Sequence, residues 1–153
     1  MDIRNILEPG CTRAGVAAGS RKRLLQYASD LLAEHYDLPA RTLFDELMNR
    51  ERLGSTGLGE GVAIPHCRLP CEAIHAAFLT LQEPVDYDAA DGEPVDLVFV
   101  LIVPPTENKA HLEILAELAR LFGSPENRAS LRASTTDDEL FERVTGLLAS
   151  QAA

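Results

Sequence analysis

The chain has 153 residues, of which 46% are hydrophobic and 25% charged, and its formal net charge is −10 at pH 7. This composition is typical of one folded domain, which we expect to span residues 1–153, and it excludes a disordered chain. Because a nucleic-acid backbone binds basic surfaces, the excess of acidic residues also argues against a nucleic-acid partner.

The sequence shows no sign of export or membrane insertion. No apolar run approaches the roughly 18 residues that a membrane-spanning helix needs, and residues 1–9 lack the apolar stretch of a signal peptide. The three cysteines, Cys11, Cys67 and Cys71, are odd in number and too few for a disulfide framework. We therefore expect a cytoplasmic protein.

The N-terminal part of the chain predicts a short strand and two helices. The strand covers residues 12–16. Ser20 is a favourable N-cap for a helix over residues 21–35, in which apolar residues recur at helical spacing. Pro39 is well placed as the first residue of a second helix, and Gly54 ends it.

A glycine-rich segment follows the second helix and ends in His66. Residues 54–66 contain four of the ten glycines, two hydroxyl side chains and a proline directly before the histidine. Such glycines permit positive φ and let backbone N–H groups converge on an anion. The Val62-Ala63-Ile64 run predicts a short buried strand, after which Pro65 presents His66 stiffly. The predicted phosphate-binding residues of this loop are Ser55, Thr56, Gly57, Gly59 and Gly61.

Two further strands are predicted downstream of a connection over residues 67–71. Residues 74–81 are apolar on both faces, and Glu83-Pro84 is expected to end that strand. Residues 94–103 include seven consecutive apolar residues from Leu97, a pattern typical of a central strand covered on both faces.

The C-terminal third predicts three helices. A helix capped by Thr106 or Asn108 extends to Gly123. Its wide apolar face consists of Leu112, Ile114, Leu115, Leu118, Leu121 and Phe122. Ser124 caps a short helix, and the capping box Thr136-Asp-Asp-Glu139 starts the last one. About five helices and a few strands predict an α/β sandwich, with a mixed sheet because strands and helices do not alternate regularly.

Three side chains predict phosphate chemistry on histidine. His66 follows a strand, His111 opens a helix after the central strand, and Arg50 lies in the last turn of the second helix. Strand ends and helix starts meet at the ligand-binding edge of an α/β sheet. A neutral imidazole can attack phosphorus, while a guanidinium and a second imidazole stabilise the transferred charge.

Each of these residues also has a purely structural interpretation, and the composition leaves both open. A histidine at a strand end can complete core hydrogen bonds, and a late-helix arginine can bond the last carbonyls. A zinc site of His66, Cys67, Cys71 and His75 is a further alternative. It is weak because no second cysteine pair follows, and we expect no metal or other cofactor. A cysteine hydrolase is disfavoured because Cys67 adjoins His66 in sequence.

The segment from Arg50 to His66, Arg-Glu-Arg-Leu-Gly-Ser-Thr-Gly-Leu-Gly-Glu-Gly-Val-Ala-Ile-Pro-His, closely resembles a family signature. It is the active-site signature of enzyme IIA domains of the fructose/mannitol type, from the bacterial phosphoenolpyruvate-dependent phosphotransferase system. The Gly-Ser-Thr-Gly variant is most similar to the nitrogen-regulatory members. The resemblance covers nearly the whole chain, including Pro94-Val-Asp-Leu and the His111-Leu helix start.

The resemblance implies that His66 is phosphorylated by a histidine carrier protein of the HPr type, with Arg50 and His111 as supporting active-site residues. It also implies the α/β sandwich. Downstream regulatory proteins are the expected targets, and a sugar-specific IIB partner is the alternative. A binding module of the same fold that no longer transfers phosphate is a third hypothesis, disfavoured by the intact site. The family commonly has Gly-Lys after the histidine, where this chain has Cys67-Arg68.

Overall fold

The computed structural model describes residues 3–152 and contains a mixed β-sheet with helices on both faces. The strands are β1 (Leu7–Val16), β2 (Gly57–Gly59), β3 (Val62–Ala63), β4 (His66–Arg68), β5 (His75–Val85) and β6 (Val95–Val103). The helices are α1 (Arg21–Tyr36), α2 (Ala40–Arg52), α3 (Lys109–Gly123), α4 (Pro125–Arg132) and α5 (Asp137–Ala152), and a 3-10 turn covers Ile3–Asn5.

The six strands form one sheet in the order β1-β5-β6-β3-β2, and β4 also pairs with β6. The β5–β6 and β2–β3 pairs are antiparallel, whereas β1 is parallel to β5, and both β3 and β4 are parallel to β6. Strand β6 therefore lies at the centre, as its continuous apolar sequence predicts. The predicted mixed sheet is confirmed.

Side chains of β6 alternate between two hydrophobic cores, one on each face of the sheet. Leu97, Phe99 and Leu101 belong to the core covered by α3, α4 and α5. Val98 and Val100 belong to the core covered by α1 and α2. This two-sided burial makes the molecule the predicted α/β sandwich, and it fixes the register of β6 because a one-residue slip would exchange the two faces.

The helix predictions are confirmed closely. Ser20 accepts a hydrogen bond from the Arg23 N–H and caps α1, and Ser124 caps α4 in the same way. Pro39 is the N-cap of α2 rather than its first helical residue. Thr136 accepts a bond from the Glu139 N–H at the start of α5, as the capping box predicts.

The strand predictions are less accurate. Strand β1 begins at Leu7 rather than residue 12. A register shift between Leu7 and Thr12 interrupts the alternation of buried and exposed residues by which a strand is predicted. Strand β5 continues through Pro84 to Val85, contrary to the prediction, because the ladder is irregular between Thr80 and Val85 and tolerates a proline there. Residues 66–68 form a strand instead of part of a connection, since their partner is β6, distant in sequence.

No helix within residues 3–152 combines the length and apolar character that crossing a membrane requires.

Candidate functional site

His66 is the first residue of β4, and two hydrogen bonds hold it in place, one made by the preceding residue and one by its own ring. Its position in the sheet is opposite Leu101 of β6, whose N–H donates to the Pro65 carbonyl at 2.9 Å. The ring atom Nδ1 lies 2.8 Å from the Ile64 carbonyl oxygen. Because a carbonyl oxygen only accepts, Nδ1 carries the proton and the lone pair is on Nε2. The bond therefore leaves the lone pair on Nε2 of this half-buried ring.

His111 lies in the first turn of α3, and its ring approaches that of His66 edge to face. The ring centroids are 5.5 Å apart, with an interplanar angle of 62°. The Nε2 atom of His111 is buried and has no hydrogen-bond partner among residues 3–152. An unpaired buried polar atom costs free energy, so a water molecule or ligand that bonds this nitrogen would be stabilising.

Arg50 completes the group of three predicted residues at one cavity. It lies in the last turn of α2, where its Nη1 donates to the Gly54 carbonyl at 2.9 Å. Arg50, His66 and His111 all line a cavity of about 480 Å³. The structure therefore brings together three residues that are up to 61 positions apart in sequence (111 − 50).

Burial and cationic neighbours keep both imidazoles neutral. Burial is the main cause of the lowered pKa of His66, and the charges of Arg50 and Arg68 lower it further, against the opposing effects of the Ile64 bond and of Glu51. Burial likewise lowers the pKa of His111, with further contributions from His66 and Arg68. A neutral ring keeps its lone pair for attack on an electrophile, which is the protonation state that a nucleophile needs.

The predicted phosphate-loop hydroxyls are engaged elsewhere in the protein. Ser55 Oγ donates to the Tyr87 carbonyl at 3.0 Å and accepts from the Gly57 N–H. Thr56 donates its hydroxyl and its N–H to the buried carboxylate of Glu51. Neither side chain lines the cavity that contains His66. These bonds fix the end of α2, and with it Arg50, relative to the loop.

The loop itself is a β-hairpin made by β2 and β3. Gly59 and Gly61 have φ of 93° and 80°, values that favour glycine. A Cβ atom at Gly61 would overlap the Arg132 guanidinium, and one at Gly59 would lie 3.1 Å from an Asp91 carboxylate oxygen. These glycines are needed for the hairpin, and none of the predicted loop residues lines the cavity. Their contact with phosphate stays a prediction.

Sequence reasoning missed several residues that line the cavity. Glu46, Asn49 and Leu53 accompany Arg50 there, and their helical spacing on α2 is a signal that could have identified them. Arg68 also lines the cavity and follows His66 by two, the spacing that returns a strand to the same face.

Two leucines near the site are exposed. Leu53 is 85% exposed and Leu112, next to His111, is 67% exposed. Leu112 belongs to the wide apolar face predicted for α3 but is exposed, because only part of that face contacts the sheet. Its buried members are Ile114, Leu118, Leu121 and Phe122.

The cysteines and the remaining histidines form no metal site in the described part of the chain, where no three His, Cys, Asp or Glu side chains are placed to hold an ion. Burial raises the pKa of the Cys67 thiol to about 12, with smaller contributions from Glu46 and Cys71. Since the thiolate is the reactive form, Cys67 is a poor nucleophile despite its position beside His66.

The comparisons with known proteins all point to one protein family. Residues 5–146 match the family described as "Phosphoenolpyruvate-dependent sugar phosphotransferase system, EIIA 2". The chain is 44% identical over 144 residues to a "Nitrogen regulatory protein" of Pseudomonas aeruginosa, covering 93% of this chain and 94% of that protein. It is 37% identical over 147 residues to the protein of that name from Escherichia coli K12, covering 95% of this chain and 90% of that protein.

A solved structure agrees with the sequence matches. The crystal structure of "Nitrogen Regulatory Protein IIA-Ntr" from Neisseria meningitidis superimposes with a TM-score of 0.88 at 40% identity. The match covers 95% of this chain and 98% of that one. The resemblance inferred from the glycine-rich segment is therefore confirmed.

Proposed function

Because the chain belongs to the EIIA type 2 family of the phosphoenolpyruvate-dependent sugar phosphotransferase system, we propose that it carries a phosphoryl group on His66. The donor is a phosphocarrier protein of the HPr type. The observation that carries this proposal is the hydrogen bond from His66 Nδ1 to the Ile64 carbonyl. That bond leaves Nε2 as a nucleophile in a cavity shared with a second imidazole and a guanidinium.

The reaction is a transfer between two imidazoles. The Nε2 lone pair of His66 attacks the phosphorus of the donor's phosphohistidine, forming a new N–P bond. The N–P bond of the donor breaks, and the donor imidazole leaves with that electron pair. The Ile64 carbonyl stabilises the positive charge that develops on the His66 ring, through the Nδ1 proton.

Arg50 and His111 stabilise the transferred group rather than attack it. The Arg50 guanidinium can bond phosphoryl oxygens, and its tie to Gly54 holds it at the cavity before any ligand arrives. Nε2 of His111 is already desolvated and unpaired. A neutral His111 that carries its N–H on Nε2 can donate it to a phosphoryl oxygen on His66, so the cost of leaving that atom unpaired is recovered in the phosphorylated state.

Phosphorylation changes the surface that partner proteins meet. It adds about two negative charges to a cavity that is lined in part by the exposed side chain of Leu53. We propose that downstream proteins bind one phosphorylation state in preference to the other, as expected of a regulator. The names of the two relatives, which the chain matches over nearly their full length, favour this role over sugar transport.

Mass spectrometry tests the proposal directly. The protein is incubated with phosphoenolpyruvate, enzyme I and the HPr-type carrier, and a gain of about 80 Da is expected, the mass of one HPO₃ group. Nitrogen-15 NMR of the imidazoles then assigns the modified atom, which we expect to be Nε2 of His66. Absence of a mass gain with every competent carrier rejects the phosphocarrier function.

A second assay separates regulation from sugar transport. The phosphorylated protein is mixed with candidate sugar-specific IIB domains, and loss of its phosphoryl group is followed over time. A regulator is expected to retain the group or return it to the carrier. Rapid, stoichiometric transfer to one IIB domain would instead establish the transport role.

A further inference from the structure

We propose that Arg68 is a positioning residue that holds the ring of His111 at its short distance from the ring of His66. This inference rests on the proposed phosphotransfer at His66. Arg68 is the last residue of β4, the strand that begins with His66, and its position in the sheet is opposite Val103 at the end of β6. Its side chain therefore starts where the connection from β6 to α3 begins.

The Arg68 guanidinium binds that connection at four points. Nη1 lies 3.1, 3.0 and 2.8 Å from the carbonyl oxygens of Pro104, Pro105 and Glu107, and these three acceptors share its two N–H donors. Nη2 donates to the side-chain oxygen of Asn108 at 2.9 Å. One side chain from the strand of His66 thus fixes the whole turn before α3, and the planar, rigid guanidinium suits this use.

The N-terminus of α3 shows that this attachment replaces an ordinary cap. Asn108 occupies the N-cap position but makes no side-chain capping bond. An N-cap asparagine usually accepts from an N–H of the first helical turn. Here its oxygen accepts from Arg68 instead, and the Ala110 N–H is bonded by the Glu107 carboxylate at 3.2 Å.

His111 follows Asn108 by three residues, so the start of α3 determines where its ring lies. The ring cannot be anchored through Nε2, which has no hydrogen-bond partner within residues 3–152. Its distance of 5.5 Å from the His66 ring therefore depends on how the backbone is held. Arg68 sets that distance because it bonds the turn directly and shares a strand with His66.

The experiment compares Arg68→Lys with wild type. Lysine keeps the positive charge, but its single ammonium nitrogen cannot reach the carbonyls and Asn108 together as the guanidinium does. We expect Arg68→Lys to slow phosphoryl acceptance by about 10- to 100-fold, the effect of misplacing a reacting group. We also expect it to weaken the NMR contact between the ring protons of His66 and His111 in the unphosphorylated protein.

Two variants make the test specific. Arg41→Lys is the matched control, because Arg41 lies on α2 with its side chain 86% exposed and should change neither measurement. Asn108→Ala removes the other end of one Arg68 bond and should weaken the same ring contact, which keeps the test available if Arg68→Lys folds poorly.

The outcomes separate this inference from the proposed function. A slower rate with an unchanged ring contact, or a weakened contact with an unchanged rate, would overturn the positioning role. Wild-type behaviour of Arg68→Lys in both measurements would overturn it too. Failure of the wild-type protein to accept phosphate would instead reject the phosphocarrier function. The ring contact would still show whether Arg68 positions His111.

Discussion

The molecule contains two histidine clusters that differ in how the ring nitrogens are hydrogen-bonded. In the cavity, Nδ1 of His66 bonds a backbone carbonyl, and Nε2 of His111 has no partner among the described residues. No carboxylate bonds either ring within residues 3–152. The two rings are close, neutral and incompletely bonded.

The second cluster lies where α1 meets the starts of β1 and β5. Nε2 of His35 bonds the carboxylate of Glu8, and Tyr36 stacks on His75 with ring centroids 3.8 Å apart. Tyr36 also meets the His35 ring edge to face at 4.6 Å. Among residues 3–152, Nε2 of His66 makes no hydrogen bond, whereas Nε2 of His35 is bonded to a carboxylate. The clusters therefore differ in whether Nε2 remains available.

The first prediction tests that contrast by removing a histidine from each cluster. His66→Ala should abolish phosphoryl acceptance completely, because the nucleophile is gone. His75→Ala should accept phosphate at the wild-type rate, because its ring packs on Tyr36 and not in the cavity. Both variants are compared by mass spectrometry after circular dichroism has shown that they fold. Residual phosphorylation of His66→Ala would place the reaction on another residue.

The second prediction concerns the unpaired ring in the cavity. His111→Ala should slow phosphoryl acceptance by about 100- to 1,000-fold, the usual effect of removing one group that stabilises a transition state. The free energy of unfolding should fall little, since the lost Nε2 makes no bond to any described residue. Rapid-quench kinetics measures the rate, with Arg120→Ala as the control because Arg120 is exposed in the last turn of the same helix. A normal rate together with a large loss of stability would assign His111 a structural role.

Much of this arrangement could be predicted from the sequence, for reasons that differ between elements. The capped helices and β6 carry local signals, namely Ser20, Ser124 and seven consecutive apolar residues. The convergence of His66 with His111 was expected from their predicted positions where strand ends meet helix starts, and the family resemblance implied it as well. Such convergence depends on strand pairing, which the spacing along the chain does not encode.

The parts that could not be predicted depend on long-range contacts. Strand β4 is three residues long, and it exists because β6 offers a parallel partner. The bonds of Arg68 join residues 36 to 40 positions apart. The exposure of Leu112 was not predicted either, because the apolar face of α3 is wider than the face that contacts the sheet. Periodicity predicts which face of a helix is apolar but not how far the neighbouring sheet extends.

The third prediction uses the pH dependence of the cavity. Only a neutral His66 can attack phosphorus, and burial lowers its pKa. As the pH is lowered, the rate of phosphoryl acceptance should therefore stay high at about pH 6.5, the ordinary histidine pKa, and fall only below it. Single-turnover kinetics across this range, repeated with His75→Ala, separates His66 from the second cluster. A midpoint above the ordinary value would contradict the protonation state assigned to His66.

The same lowered pKa values affect stability in a defined direction. His66, His75 and His111 all have a pKa below the unfolded value. Between the two values the unfolded chain binds more protons than the native state, so the free energy of unfolding should decrease as the pH falls through about 6.5. Urea denaturation at several pH values measures this decrease. His66→Ala should show a smaller decrease, since one of the three groups is missing.

The smallest expected effect comes from the bonded histidine of the second cluster. Glu8→Gln removes the charge opposite His35, in a pair whose side chains are 50% and 32% exposed. Pairs as exposed as this contribute at most about 1 kcal/mol, so the urea midpoint should shift slightly and phosphoryl acceptance should not change. Gly10→Ala approaches the same pair from the other side, because its Cβ would lie 2.6 Å from His35 Cε1. A change in the rate of phosphoryl acceptance in either variant would show that the two clusters are coupled through the sheet. The contrast between the two Nε2 atoms would then be insufficient to explain why phosphoryl acceptance is expected at one cluster and not at the other.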